Sequence, residues 1–394
     1  MKNIYCFFLI TVLIPVVVDA QILMNVSQME IVKNSLEIQN KNDIKKLEKN
    51  ADEYCKIPYV SVMNKKHIPK SGSMHDYMSL AQYSWPNPQT SNGLPYISID
   101  GKINPEMAEY DRHELAKFSK RLKILGLAYF YSNNEKYAEY AVEQLKAWFI
   151  NDDTKMNPNM TFAQIVPGTN DDLGKPQGII DSYSFVSIID YILILKMYKG
   201  FSEEVFRAIQ AWYGELSKWL ENSPQGIAAS KMKNNAYAMY VTQLLAFKFF
   251  SSPQDVDELE VRQTLNRLIA VQFDDNGKQP KELKRVNSFF YSQFNLTHIV
   301  DYVVIAKYAG IDVLKDDKTR LKFYKGVDFL ANYLGKDQSS WEFSQKEDWH
   351  DSQMALCETL YRIYTRCDSS RSHYLQLYKQ HYLADRNNFF ALYN

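Results

Sequence analysis

Several things the sequence lacks narrow its chemistry. Lys plus Arg number 46 and Asp plus Glu number 46, so neither sign of charge is in excess. A balanced chain has no global field to steer nucleic acid or another polyanion toward it, and any anionic ligand must be held by a local cluster. Cysteine is scarce, at 4 residues. Cys6 falls in an apolar N-terminal segment, which leaves Cys55, Cys357 and Cys367. An odd number excludes complete internal pairing, and the spacings make no metal site. Free buried thiols are expected, with a Cys357–Cys367 pair, or Cys55 joined to either, as the alternatives. Beyond the N-terminus no stretch is expected to be apolar for long enough to cross a bilayer. Also missing are a Gly-rich dinucleotide loop, a P-loop, a G-x-S-x-G elbow and H-E-x-x-H. His113-Glu114 lacks the second histidine, and Asp274-Asp275-Asn276-Gly277 has turn chemistry without calcium-loop spacing. A zinc hydrolase, a dehydrogenase and a kinase are all disfavoured, and no metal or cofactor is expected.

At the N-terminus, Met1-Lys2-Asn3 carries one positive charge and residues 4–18 are almost wholly apolar. Val18-Asp19-Ala20 then places a small residue before Gln21. This is the pattern of a cleaved secretory signal over residues 1–20, too short for a comfortable membrane span. The expected product is a periplasmic or secreted protein with no membrane association after cleavage. No cysteine stands at the cleavage point to take a lipid.

The remaining chain, from a total of 394 residues with 46% hydrophobic content, is ample for a large core. Its 28 Tyr, 21 Phe and 6 Trp pack helices, and flat rings of this kind also stack on pyranose faces. Residues 21–59 form a polar helical lead-in expected to wrap the outside. Residues 60–104 are basic at Lys65, Lys66, His67 and Lys70, then irregular and aromatic, with Pro, Asn and Gly forbidding a regular helix. Long irregular segments of this kind line or cover sites.

From Asp111 the pattern turns helical. Leu115, Phe118, Leu122, Leu125 and Tyr129 recur at helical spacing, and Tyr137, Tyr140, Ala141, Leu145 and Trp148 repeat it after Asn133-Asn134. Further runs are predicted over 179–198, 203–220, 236–250, 257–271, 296–309, 320–334, 352–364 and 373–383. No fixed repeat period is evident, which argues against a regular solenoid. Paired helices curving into an all-α toroid, as one domain over residues 60–394, fit this pattern best.

One stretch, residues 279–296, carries a guanidinium and a phenol six residues apart, Arg285 and Tyr291, before the apolar run at 296–309. An arginine that holds a carboxylate and a tyrosine that moves a proton suit chemistry on an acidic sugar. Three other segments accompany it. One is His75-Asp76-Tyr77-Met78-Ser79-Leu80 with Tyr83-x-Trp85-Pro86. Another is residues 157–168 with Gly178-Ile179-Ile180-Asp181, and the last is Lys233-Asn234-Asn235. In this order and spacing, over roughly residues 60–334, they resemble the alginate lyase family of polysaccharide lyases. That resemblance implies an incomplete (α/α) toroid and cleavage of a 4-linked uronic-acid polysaccharide by β-elimination, with that anionic polymer or its oligosaccharides as partner. A monomer is expected.

Such a reaction must neutralise the C6 carboxylate, remove the C5 proton and protonate the departing O4. Matched to the family, Asn235 and Arg285 neutralise the carboxylate and Tyr291 transfers the proton. His75, Tyr77, Tyr83, Trp85, Gln164 and Asn234 are candidates for binding substrate. The family's histidine is replaced by Ala236, so Tyr291 must remove the proton and return it to O4, or His75 or His298 must reach the site. Simpler roles compete for each residue. Asn234 or Asn235 can cap a helix, Arg285 can pair with Glu282, Tyr291 can pack a helix, and His298 suits a core position. A glycan-binding protein that has lost catalysis is the alternative to a lyase. A glycoside hydrolase would need two paired carboxyls, for which only Asp76 and Asp181 offer themselves.

Overall fold

The computed structural model describes residues 22–34, 38–346 and 348–382; the predicted signal segment, Cys6 included, lies outside the described residues. The lead-in forms α1 (Val26–Asn34) and α2 (Ile38–Tyr54). Three short strands follow, β1 (Met78–Leu80), β2 (Ser84–Trp85) and β3 (Ile97–Ser98). The helical hairpin α3 (Asp111–Ser132) and α4 (Glu135–Phe149) comes next, then β4 (Phe162–Ile165). The rest is α5 (Ser184–Leu195), α6 (Glu203–Asn222), α7 (Pro224–Ala229), α8 (Asn235–Ser251), α9 (Glu258–Gln272), α10 (Ser288–Tyr308), α11 (Asp317–Ala331), α12 (Trp349–Arg362) and α13 (Ser372–His381).

Helix boundaries follow local capping in several places. At the α3–α4 turn Asn133 takes a left-handed backbone, φ 56°, and the Asn134 side chain accepts from Lys136 N at 3.2 Å. Ser202, Asp257 and Asp316 cap α6, α9 and α11 in the same way. Helices α3, α5, α8, α10 and α12 pack in succession as an inner ring, with α4, α6, α9, α11 and α13 outside them. The result is an incomplete (α/α) toroid. Helices α5, α8 and α10 are buried on nearly every side, as their continuous apolar sequences require.

Three expectations change. The segment Asn170–Leu195 has the length and composition to cross a membrane, but 72% of its apolar window is buried inside the protein, where the inner ring covers α5. The lead-in does more than wrap the outside. Ile22 and Met24 are core residues, and the buried Asp190 carboxylate of α5 accepts from Ile22 N at 2.8 Å and Leu23 N at 2.9 Å. The irregular segment contains ordered pairing, with β1 parallel to β4 and β2 antiparallel to β3. Cys55, Cys357 and Cys367 are free.

Candidate active site

The two small sheets and the starts of α8 and α10 surround a cleft of about 410 Å³. Tyr83 and Gly101 come from one wall, Gln164 from the end of β4, Asn234 and Asn235 from the start of α8, and Arg285, Tyr291 and Phe294 from the opposite wall. Helix α10 begins at Ser288, eight residues earlier than its apolar run suggests, so Tyr291 lies in its first turn. No neighbouring side chain in sequence caps that turn. Gln345, from a distant segment, accepts from Phe289 N at 2.9 Å and Phe290 N at 3.3 Å through its Oε1.

The Tyr291 hydroxyl lies 2.9 Å from the Tyr83 hydroxyl, and the Arg285 guanidinium stacks over the Tyr291 ring at 3.8 Å from its centroid. Burial pushes the Tyr291 phenol well above the usual range; the bond to Tyr83 adds to this while Tyr291 is the donor in it, and the Arg285 cation opposes it. The same guanidinium pairs with Asp100 at 3.2 Å. It does not pair with Glu282, whose two oxygens instead accept from Asn235 N at 2.7 Å and Asn235 Nδ2 at 2.8 Å. Glu282 therefore caps α8 from outside its own sequence. The Asn234 side chain makes no capping bond, and its Oδ1 is buried with no hydrogen-bond partner among the described residues. Burial raises the Glu282 carboxyl above the usual range, against the two bonds from Asn235.

Gln164 sits at the cleft with a left-handed backbone, φ 55°, a conformation that costs energy for a residue with a Cβ and that clusters at functional sites. Its backbone N donates to Ser79 Oγ at 2.7 Å and its side chain to Asp181 Oδ1 at 2.9 Å. Asp181 also accepts from Tyr77 and Ser79, with Arg112 3.7 Å away. Asp76 is held by Ser71, Asn157 and Asn159 and does not line the cleft. These two aspartates thus serve separate networks and do not form an acid pair across the cleft.

Of the residues expected from sequence, Asn234, Asn235, Arg285, Tyr291, Tyr83 and Gln164 meet in the cleft. His75, Tyr77 and Trp85 do not line it. The His75 ring bonds Lys155 O at 2.7 Å, Tyr77 is fully buried beneath Asp181, and Trp85 donates to Lys102 O at 2.9 Å. His298 is also outside: its Nδ1 bonds Phe294 O at 2.6 Å, and burial drives its pKa down to about 4. Ala236 is fully buried. Arg112, Lys175, Gln177 and Asp348 line the cleft without having drawn notice in the sequence. Only the folded chain brings them there, although Lys175 and Gln177 lie between residues 157–168 and the Gly178-Ile179-Ile180-Asp181 motif. Among the described residues no three His, Cys, Asp or Glu side chains group as a metal site.

Comparisons with known proteins agree on one family. A family model described as alginate lyase matches residues 61–341. A crystal structure of an alginate lyase from Bacteroides ovatus superposes with a TM-score of 0.89 at 33% identity, covering 95% of this chain and 98% of that one. Alginate lyase A1-III from Sphingomonas species A1 superposes with a TM-score of 0.55 at 13% identity, over 89% of this chain and 88% of that one, a likeness of fold alone. No curated protein matches in sequence.

Proposed function

The chain belongs to the alginate lyase family of polysaccharide lyases, and from that premise we propose that it cleaves a 4-linked uronic-acid polysaccharide by β-elimination. In this reading Arg285 and Asn235 bind the C6 carboxylate. Holding that charge stabilises the carbanion-like state that forms when the C5 proton leaves. Tyr291 removes the proton and returns it to O4 on the same face of the sugar, which requires no histidine at position 236.

The observation that supports this most is the Arg285–Tyr291–Tyr83 arrangement, a guanidinium 3.8 Å from a phenol ring whose hydroxyl meets a second phenol at 2.9 Å. The cation lowers the cost of a phenolate, and the Tyr83 hydroxyl can donate to Tyr291 as negative charge develops there. Asp100 occupies part of the guanidinium in the free protein, so an incoming carboxylate shares or replaces that contact.

The remaining parts of the reading are export by cleavage after residue 20, a catalytic unit over residues 60–394 behind the lead-in 21–59, and a monomeric enzyme. They rest on the sequence patterns. The second reading, a glycan-binding protein without catalysis, is favoured by Ala236, which cannot move a proton. One measurement separates the two. Wild-type protein incubated with uronans should release products absorbing in the ultraviolet as unsaturated uronates, and Tyr291→Phe should abolish that signal while still binding the polymer. Near-normal activity in Tyr291→Phe would overturn the assignment of Tyr291. Binding without product in the wild type would favour the second reading.

A further inference from the structure

Next to the cleft lies a separate groove of about 360 Å³, lined by Gln177, Lys231, Met232, Lys233, Asn234 and Lys281. Gln177 and Asn234 line both spaces, so the groove continues the cleft on the α7–α8 side. Lys231, Lys233 and Lys281 are exposed, and none has a carboxylate partner among the described residues. Lys175, in the cleft itself, is likewise without one, and burial lowers its pKa. Elsewhere on this charge-balanced chain lysines are commonly paired, as Lys66 is with Glu109, Lys146 with Glu143 and Lys278 with Glu342. The carboxylate nearest in sequence to Lys281, that of Glu282, is buried and turned onto Asn235.

The loop carrying two of these lysines is fixed. Gln272 donates to Asn234 O at 2.8 Å, Arg267 donates to Ser230 O at 3.4 Å, and Met232 N bonds Ala229 O at 3.1 Å. Unpaired ammonium groups on a fixed loop repel one another, and an anion lying between them relieves that repulsion.

We propose that this groove is an anion-binding subsite that grips the uronate residues of the polymer lying outside the catalytic cleft. The proposal rests on the uronate reading above. A polyuronate carries a carboxylate on every sugar. With one carboxylate on Arg285 and Asn235, the neighbouring sugars run past Lys175 and Gln177, and only sugars beyond the reach of a trisaccharide enter the groove, where Lys231, Lys233 and Lys281 neutralise their charges. Affinity therefore grows with chain length, and cleavage favours bonds well inside the chain. Ionic strength weakens polymer binding more than it weakens binding of a short oligomer.

The test compares wild type with the triple variant Lys231→Gln, Lys233→Gln, Lys281→Gln, using alginate and polyglucuronate and their trisaccharides at low and high salt. Each exposed charge contact is worth roughly a factor of two to five, so the triple change should raise KM for the polymer about tenfold or more at low salt. The expected pattern also includes an unchanged kcat, an unchanged KM for the trisaccharide and a flattened salt dependence. Equal KM values for wild type and variant on the polymer, or equal shifts on polymer and trisaccharide, would overturn the subsite. Calorimetric binding of the same polymers to Tyr291→Phe, with and without the three lysine changes, gives an answer independent of turnover. If no unsaturated product forms but the lysine changes still weaken polymer binding, the subsite stands and the elimination reading fails. If product forms and polymer binding is indifferent to the lysines, the subsite fails and the elimination reading stands. Single-lysine variants with unchanged melting curves guard against misfolding, and each should show a fraction of the triple effect.

Discussion

Glu282 holds Asn235 at two points, accepting from its backbone N at 2.7 Å and from its side-chain Nδ2 at 2.8 Å. One carboxylate thus caps α8 and fixes the rotamer of an amide proposed to meet substrate. Replacing Glu282 by Gln turns one acceptor into a donor facing a donor. The expected result is a fall in kcat/KM of about 10- to 100-fold, of the size seen when a positioning partner is lost, with a smaller loss of stability. Steady-state kinetics alongside a denaturation curve check this, and a variant with full activity would remove Glu282 from the site's support. Burial also raises the Glu282 carboxyl, so wild-type kcat/KM should drop on the acid side at a higher pH than an ordinary carboxylate would give. Glu282→Gln should lose that limb.

Tyr83 and Tyr291 meet through their hydroxyls. Removing only the Tyr83 oxygen, in Tyr83→Phe, should lower kcat by about 10- to 100-fold while KM moves little, the mark of an interaction used mainly as charge develops. Unchanged kcat and KM would instead make Tyr83 a sugar-stacking residue, because phenylalanine keeps the ring.

Because the Tyr291 phenol is raised by burial, turnover should climb with pH into the alkaline range as the phenolate fraction grows. Arg285 opposes that shift from 3.8 Å above the ring. Arg285→Gln should therefore move the alkaline limb to still higher pH as well as raising KM. A pH profile of kcat for the two proteins shows the displacement, and identical limbs would separate Arg285 from the ionisation of Tyr291.

His298 is buried beside Tyr183 and Phe294, faces Asp301 and Arg362, and is held neutral, with its pKa depressed from 6.5 to about 4. A folded state that binds its proton less readily than the unfolded chain loses stability as pH falls from about 6.5 to about 4, by about 3 kcal/mol over the full range. Asp190, raised to about 6 by burial, works the other way, its contribution weakening as pH rises through about 4 to 6. Urea midpoints for wild type and His298→Gln at pH values across this window isolate the histidine. Its slope should be present in wild type and absent in the variant.

Asp190 also fastens the lead-in by accepting from Ile22 N and Leu23 N inside the core. Asp190→Ala leaves these donors without their acceptor and should cost about 3 kcal/mol. Asp190→Asn, which keeps one acceptor oxygen, should cost less. Denaturation curves measure both, and proteolysis within residues 22–34 should quicken in the alanine variant.

The amino-acid order alone carries the family and the bodies of the long helices. Each amphipathic run has to bury a stripe, and hairpins of such runs have few ways to close, so residues 115–129 or 203–220 need no distant information to be helical. It also held the residues that meet in the cleft, Asn234, Asn235, Arg285, Tyr291, Tyr83 and Gln164. What it left open depended on partners far along the chain. Helix α10 starts at Ser288 because Gln345 satisfies its first N–H groups, and α8 starts at Asn235 because Glu282 does. His75, Tyr77 and Trp85 belong to the same motif segments as Tyr83, yet Lys155 O, Asp181 and Lys102 O hold them outside the cleft. A side chain's direction within an irregular segment is set by whichever buried polar group needs a partner, and the identity of that group is decided only when the chain has folded.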